Sequence, residues 1–173
     1  MKLKILVMTI LLMAAFGCVP ANAKVVRKAK SVQEILDEQE KALRRILDHI
    51  KEERARREFE EKEIGLLAEG GYWENWHTDK EKLTVRWTMA VIMNRVRSKE
   101  YPDTVESVLY QRGQYSTTKY FYTKKLPDEA YEMARDVYYN GTPDVPKNVI
   151  YQAQFYQGKG VWQKKNGEYF CYG

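Results

Sequence analysis

Three carboxyl side chains in the middle of the chain have types and spacing that could do acid and base chemistry. Glu69 precedes a Gly-Gly pair, and Glu74 and Asp79 lie five and ten residues further on, in a segment rich in tryptophan. A carboxyl whose pKa is raised by apolar surroundings can act as a general acid near neutral pH. A second carboxylate beside it could act as a base or a nucleophile. Taken alone, however, a glutamate before a glycine pair is most simply a solvated surface residue.

Several short motifs near Glu69 and after it support a functional interpretation of this residue. They follow one another in a fixed order, and a tail rich in aromatic residues comes after them; the segments are Leu67–Gly71, Ala90–Ser98, Tyr101–Val105, Val108–Ser116 and Tyr151–Phe170. In order and spacing, this series resembles the cell wall hydrolase family that includes the spore-cortex-lytic enzymes, and its tail is similar to the phage and secreted branch. The resemblance covers about residues 64–173.

This resemblance implies a lysozyme-like, largely helical fold and an enzyme that cleaves peptidoglycan glycan strands between N-acetylmuramic acid and N-acetylglucosamine. It places the catalytic glutamate of the family on Glu69 and implies no cofactor. Members typically act as lytic transglycosylases. A single glutamate then protonates the departing oxygen and afterwards takes a proton from the muramic acid 6-hydroxyl, which closes a 1,6-anhydro ring.

Two alternatives stay open. The segment 73–79 departs from the family pattern, and if Glu74 or Asp79 faces the cleft as a second carboxylate, a hydrolytic muramidase becomes plausible. The other alternative is a non-catalytic wall-binding or scaffold protein, which the unusual segment and the helical extension before residue 64 would both suit.

The resemblance also implies a set of substrate contacts. Three consecutive residues match the Gln-Phe-Ser motif of the family, with tyrosine in place of phenylalanine, and we expect Ser116 to hydrogen bond Glu69 or the substrate N-acetyl group. The expected substrate-binding residues are Gln111, Gln114, Tyr115, Ser116 and Tyr151. We expect the pair Asn94-Arg95, inside a helix, to tie neighbouring loops together instead.

The elements that position these residues can be read from periodicity and turn signals. Helices are predicted over 64–69, ending at Gly70-Gly71 as a left-handed cap, and over 82–98, 103–109 and 127–139. Short apolar runs follow at 149–151, 155–156, 161–162 and 169–170, with a hairpin turn at Lys165-Asn166-Gly167. The predicted fold class is therefore mainly α with a small C-terminal β element, an α+β domain.

Three regions are predicted along the chain: a signal peptide at 1–23, a charged amphipathic helical spacer at 24–63 and a catalytic domain at 64–173. The first region has two lysines, a run of apolar residues shorter than the roughly 20 that span a bilayer, and Ala21-Asn22-Ala23 before the cleavage point. We therefore expect a secreted, wall-associated protein. Membrane attachment is expected only if Cys18, which follows a faint lipoprotein box, is lipidated.

Within the spacer, a helix is predicted to begin with a capping box at Ser31 and Glu34 and to carry an apolar stripe up to Ile50. The stripe could bind a protein partner as a coiled coil or lie on the catalytic domain, and its length favours packing on the domain. Residues 51–63 alternate charges of both signs, as in a solvated helix with ion pairs between successive turns.

Composition excludes several function classes. The net charge of +5 falls to +3 without the two lysines of the signal peptide, which is too little to indicate nucleic acid as a partner. Two histidines and the single cysteine left after residue 23 do not provide a zinc site. Of the 22 aromatic residues, 20 follow residue 63, as expected of a domain that binds sugars.

Overall fold

The computed structural model describes residues 31–173. The predicted signal peptide at 1–23 and Cys18 lie outside the described residues, as does the start of the predicted spacer. The chain divides into two compact units, Met1–Ile46 and Leu47–Gly173. Among the described residues, no helix is both long and apolar enough to cross a membrane.

The elements follow one another in the order that the sequence predicts, except that the apolar run at 155–156 lies between strands and forms none. Helix α1 is Val32–Asn75, α2 is Leu83–Val96, α3 is Val105–Leu109 and α4 is Asp128–Asn140, with a 3₁₀ helix at Ser116–Tyr120 between α3 and α4. Strands β1 (Val149–Ala153), β2 (Gly160–Lys165) and β3 (Glu168–Tyr172) form an antiparallel sheet in the order β1-β3-β2. The fold is thus mostly helical with a small C-terminal sheet, which confirms the predicted α+β class.

Helix α1 begins as the sequence predicts. The backbone N–H of Ser31 donates to Glu34, and the Ser31 hydroxyl accepts from the N–H of Glu34, which is the expected capping box. Ion pairs three or four residues apart follow along the helix, such as Arg44 with Glu40 and Arg56 with Glu53. The pair Arg56–Glu53 lies within residues 51–63, where ion pairs between successive turns are expected.

The apolar stripe of α1 is exposed, and its first residue, Val32, is 75% exposed. Leu47 and Ile50 belong to the second unit, which contains residues 64–173, and both are exposed, so the expected packing of the stripe on those residues is not seen for them. The end of the predicted spacer, by contrast, joins the core of the second unit. Glu63 is buried there and accepts from the backbone N–H groups of Val105 and Glu106 at the start of α3.

The predicted helix end at Gly70-Gly71 is wrong, because α1 continues through both glycines to Asn75. A Cβ atom on Gly71 would lie 2.5 Å from Cε of Met89, and one on Gly70 would lie 3.0 Å from side-chain atoms of Ile92 and Leu109. The two glycines therefore permit the close approach of α2 and α3 to α1. Their function is packing between helices, and the helix needs no cap there.

Helix α2 lies between the two apolar clusters of the second unit. Met89 and Ile92 face a cluster shared with the end of α1 and with α3 and α4. Trp87 and Val91 face a second cluster that includes Phe170 of β3. A helix that is buried on two sides carries apolar residues around most of its circumference, as α2 does.

Asn94 and Arg95 connect α2 to the sheet, as expected. Asn94 Nδ2 donates to the carbonyl oxygens of Pro146 and Val149, at 2.9 and 3.0 Å, and Arg95 Nε donates to the carbonyl oxygen of Ile150 at 2.6 Å. Both side chains are buried. These bonds place the first strand beside α2.

Candidate active site

A cavity of about 390 Å³ lies where the end of α1, the loop before the 3₁₀ helix and the sheet meet. It is lined by two carboxyl groups, several amides and aromatic rings, which suits a ligand with many hydroxyl and amide groups. The lining residues are Glu74, Arg95, Gly113, Gln114, Tyr115, Tyr151, Gln152, Ala153, Gln154, Phe155, Gln157 and Glu168. A larger groove of about 640 Å³, lined by residues such as Arg97, Tyr139 and Lys147, has no carboxyl group in its wall and offers no general acid.

Glu74 enters this cavity from the last turn of α1. Its Oε1 accepts a hydrogen bond of 2.5 Å from the Thr117 hydroxyl in the 3₁₀ helix. Burial raises the pKa of Glu74, the Thr117 bond opposes this change, and the negative charge of Glu168 raises the pKa further. A carboxyl with a raised pKa in a cavity is what a general acid requires.

Glu168 is the first residue of β3 and provides the second carboxyl group of the cavity. Burial raises its pKa, whereas hydrogen bonds from the side chains of Gln152 and Gln154 lower it. The Oε1 atom of Gln152 is itself buried and has no hydrogen-bond partner among residues 31–173. The cavity wall thus combines two carboxyl groups with an acceptor that the described residues leave unsatisfied.

Tyr115 and Arg95 form one side of the cavity. Tyr115 is buried, its hydroxyl accepts from Arg95 Nη1 at 3.2 Å, and the Arg95 guanidinium lies over its ring. Burial raises the pKa of Tyr115 to about 12, although the charge of Arg95 opposes the shift. The phenol is therefore neutral across the physiological range and can only exchange hydrogen bonds.

The structure brings together some of the predicted substrate-binding residues. Gln114, Tyr115 and Tyr151 line the cavity with Glu74. Gln111 and Ser116 are exposed and are not among the lining residues. Ser116 does not bond Glu69 as expected; the hydroxyl that reaches a carboxyl group is that of Thr117, one residue further on.

Glu69 occupies a different environment from Glu74. Five residues along an α-helix correspond to about 500°, so the two side chains leave α1 about 140° apart. Glu69 is only 1% exposed and does not line the cavity. Its Oε2 accepts from Trp73 Nε1 at 2.8 Å, and its Oε1 is buried without a hydrogen-bond partner in the described part of the chain. The expected apolar burial of Glu69 is present, but the cavity is not beside it.

Asp79 accepts hydrogen bonds from the turn before α2 and does not line the cavity. Its carboxylate accepts from the N–H of Glu81 at 3.2 Å and from the N–H and hydroxyl of Thr84 at 2.6 and 2.9 Å. Burial would raise the pKa of Asp79, but these bonds, with a smaller contribution from the charge of Lys165, hold it below its usual value. Asp79 fixes the turn that leads into α2.

Sequence reasoning missed several polar residues of this site, among them Thr117, Gln152 and Glu168. Thr117 directly follows the motif that drew attention to Gln114 and Tyr115, so its neighbours were a usable signal. Glu168 lies beside a hairpin turn, and nothing in its local sequence separates it from an ordinary exposed strand residue. Within residues 31–173, no group of three His, Cys, Asp or Glu side chains is placed to hold a metal ion.

Comparison with known proteins gives one match. The family model described as cell wall hydrolase matches residues 79–170, which begin after Glu74 and include Tyr115, Tyr151 and Glu168. No curated protein and no solved structure matches the chain.

Proposed function

This chain belongs to the cell wall hydrolase family, and we propose that it cleaves peptidoglycan glycan strands at the bond between N-acetylmuramic acid and N-acetylglucosamine, with Glu74 as the general acid. The observation that carries this proposal is the position of Glu74. Its carboxyl group has a raised pKa and lines a cavity with Gln114, Tyr115 and Tyr151. We therefore assign the role of general acid, which the sequence analysis expects of Glu69, to Glu74.

The choice of Glu74 over Glu69 rests on access. A general acid must come within hydrogen-bond distance of the departing oxygen. Glu74 lines an open cavity large enough for part of a glycan, whereas Glu69 is enclosed by protein and bonded to Trp73. Thr117 also holds one oxygen of Glu74, which leaves the other to face the substrate.

The favoured reaction is that of a lytic transglycosylase. Protonated Glu74 gives its proton to the glycosidic oxygen as the bond to the anomeric carbon of muramic acid breaks. The resulting carboxylate then takes the proton of the 6-hydroxyl as that oxygen bonds to the anomeric carbon. One sugar hydroxyl becomes the attacking group, so the products are a 1,6-anhydro end and a free 4-hydroxyl, and no water is consumed.

Glu168 supports a second candidate, the hydrolytic muramidase. It is a second carboxyl group in the same cavity, and its charge acts on Glu74. Two neighbouring carboxyl groups that resist double ionisation can divide the roles, one protonated as the acid and the other ionised as base or nucleophile. Water would then attack the anomeric carbon and leave a reducing end.

The test is digestion of purified peptidoglycan by the wild-type protein and by Glu74→Gln, Glu69→Gln and Glu168→Gln, with mass spectrometry of the released fragments. We expect 1,6-anhydro ends that disappear in Glu74→Gln and persist in Glu69→Gln. Reducing ends that depend on both Glu74 and Glu168 would favour the muramidase. A protein that binds the wall and releases nothing would instead be a wall-binding or scaffold protein.

The predicted signal peptide at 1–23 fits this substrate, since peptidoglycan lies outside the cytoplasmic membrane. We include secretion to the cell envelope in the proposal. Cleavage after Ala23 and the state of Cys18 can be read from the intact mass of the exported protein. The apolar stripe of α1 is exposed. We therefore also propose, independently of the cleavage reaction, that this stripe binds a protein partner.

A further inference from the structure

Two lysines that follow the cavity-lining motif in the sequence are held over aromatic rings. Lys124 Nζ lies 4.6 Å from the ring centre of Trp73 and 4.7 Å from that of Tyr72, and Lys119 Nζ lies 5.0 Å from the ring centre of Tyr120. The rings of Trp73 and Tyr120 contact each other, with their centres 5.3 Å apart. We call Lys119, Lys124 and these two rings the lysine platform.

Neither ammonium group of the platform is paired with a carboxylate among the described residues. Other lysines of the domain do have such partners, for example Lys62 with Glu106 and Lys165 with Glu81. Cation–π contacts hold an ammonium group without neutralising its charge. The platform therefore presents two ordered positive charges that remain available to an anionic ligand.

The platform is connected to Glu74 through the 3₁₀ helix. The ring of Trp73 itself is fixed by the hydrogen bond from Nε1 to Glu69, whose side chain leaves α1 about 140° away from that of Glu74. Thr117, which bonds Glu74, lies three residues before Tyr120 in the same 3₁₀ helix, a rise of about 6 Å. A ligand at Glu74 would therefore have the platform within reach of a substituent.

The segment that carries the platform is fixed in place. Phe121 is buried in the core, and the N–H and hydroxyl of Thr123 both donate to the carbonyl oxygen of Tyr120. Tyr122 adopts a left-handed conformation with φ of 58°, which is unfavourable for a residue other than glycine. Such a conformation persists where surrounding contacts impose it, so the charges of the platform are pre-organised.

We propose that the lysine platform binds the carboxylates of the stem peptides attached to the glycan strand, and that the site therefore prefers peptide-bearing, anionic peptidoglycan. This inference rests on the proposed function. In a peptide-bearing strand the lactyl carboxyl group of muramic acid forms the amide to the peptide, so the remaining carboxylates belong to the peptide. That peptide begins on the same sugar whose anomeric carbon reacts at Glu74.

The test measures binding, so that it does not depend on cleavage. The Glu74→Gln protein, with and without Lys119→Gln and Lys124→Gln together, is sedimented with sacculi from which covalently attached polymers have been removed. Half of the sacculi have their carboxylates converted to carboxamides. Lys147→Gln, which removes an exposed charge from the separate groove near Tyr139, is the matched control.

We expect amidation to weaken binding by about three- to tenfold at low salt, the range that two exposed ion pairs provide. The double lysine variant should bind unmodified and amidated sacculi equally weakly. The Lys147→Gln control should still bind unmodified sacculi more tightly than amidated sacculi. Equal binding to both kinds of sacculi, or a preference that survives in the double variant, overturns the inference. Binding that requires the attached anionic polymers also overturns it.

Failure of the proposed function gives a different result. In that case the protein with Glu74 intact releases no fragments, whereas the preference for unmodified sacculi and its loss in the double lysine variant can still be measured. Failure of the inference alone leaves cleavage dependent on Glu74 and removes only the response to amidation.

Discussion

The hydroxyl of Thr117 donates a hydrogen bond of 2.5 Å to Glu74 Oε1, and the two residues are 43 positions apart in the sequence. A bond donated to a carboxylate favours the ionised form and lowers the pKa of that group. In Glu74 this effect opposes the rise in pKa that burial and Glu168 cause. Thr117 therefore both orients the proposed acid and limits how far its pKa rises.

Thr117→Val should shift the pH dependence of cleavage. Without the hydrogen bond the pKa of Glu74 rises, so the protonated acid persists to higher pH and the alkaline limb of the rate profile moves to higher pH. Thr117→Ser should restore the wild-type limb. Thr118→Val, which removes a hydroxyl bonded only to the carbonyl oxygen of Tyr115, should leave it in place. An unchanged limb in Thr117→Val would exclude Glu74 as the titrating acid.

Glu168→Gln should shift the same limb in the opposite direction. The negative charge of Glu168 raises the pKa of Glu74, so its removal lowers that pKa and the protonated acid is lost at lower pH. The measurement is kcat/KM against pH on soluble glycan fragments. A limb that moves upward, or not at all, would mean that Glu168 does not act on the acid through its charge.

Gly71→Ala should destabilise the fold. The new methyl group would lie 2.5 Å from Met89 Cε, and overpacking of this kind costs about 1–3 kcal/mol. Gly65→Ala is the matched control on the same helix, because a Cβ there meets nothing within 4 Å. It should stabilise the helix by up to about 1 kcal/mol. Urea unfolding of the two variants decides the point, and equal free energies of unfolding would contradict the packing interpretation of Gly71.

Asp79→Asn should lower stability at neutral pH and not in acid. The pKa of Asp79 is lowered by folding, so its ionised form contributes stability above the unfolded value of about 3.9, and that contribution is lost as the pH falls through the folded value. We expect a loss of about 1–2 kcal/mol at pH 7 that shrinks towards pH 3. Asp103→Asn, at an exposed position, is the control. A loss that does not vary with pH would show that the charge is not involved.

Local patterns in the sequence were sufficient for most elements. The capping box at Ser31 and Glu34 formed as predicted, because both partners lie within one helical turn. The hairpin turn also formed, with Asn166 and Gly167 at φ of 52° and 85°, because these residue types accept positive φ at little cost. Helix α2 was predicted to within two residues, since a long apolar helix carries a strong signal.

The tertiary structure decided the questions that depend on distant partners. Gly70 and Gly71 looked like a helix end, and only the approach of Met89, Ile92 and Leu109 explains why the helix continues. Ordered motifs placed the acid at Glu69. The helix period fixes the angle between Glu69 and Glu74, but only the elements that pack against each face of α1 decide which of the two side chains lines a cavity.

The same division applies to the site as a whole. By itself the sequence determined the family resemblance, the helical and β elements, and the presence of carboxyl, amide and aromatic groups suited to a glycan. Only the folded chain brought Glu168 to the cavity of Glu74, 94 positions away. Burial raises the pKa of both groups there, and the charge of Glu168 raises that of Glu74 further. Such shifts depend on solvent exclusion and distance, which no local stretch of sequence contains.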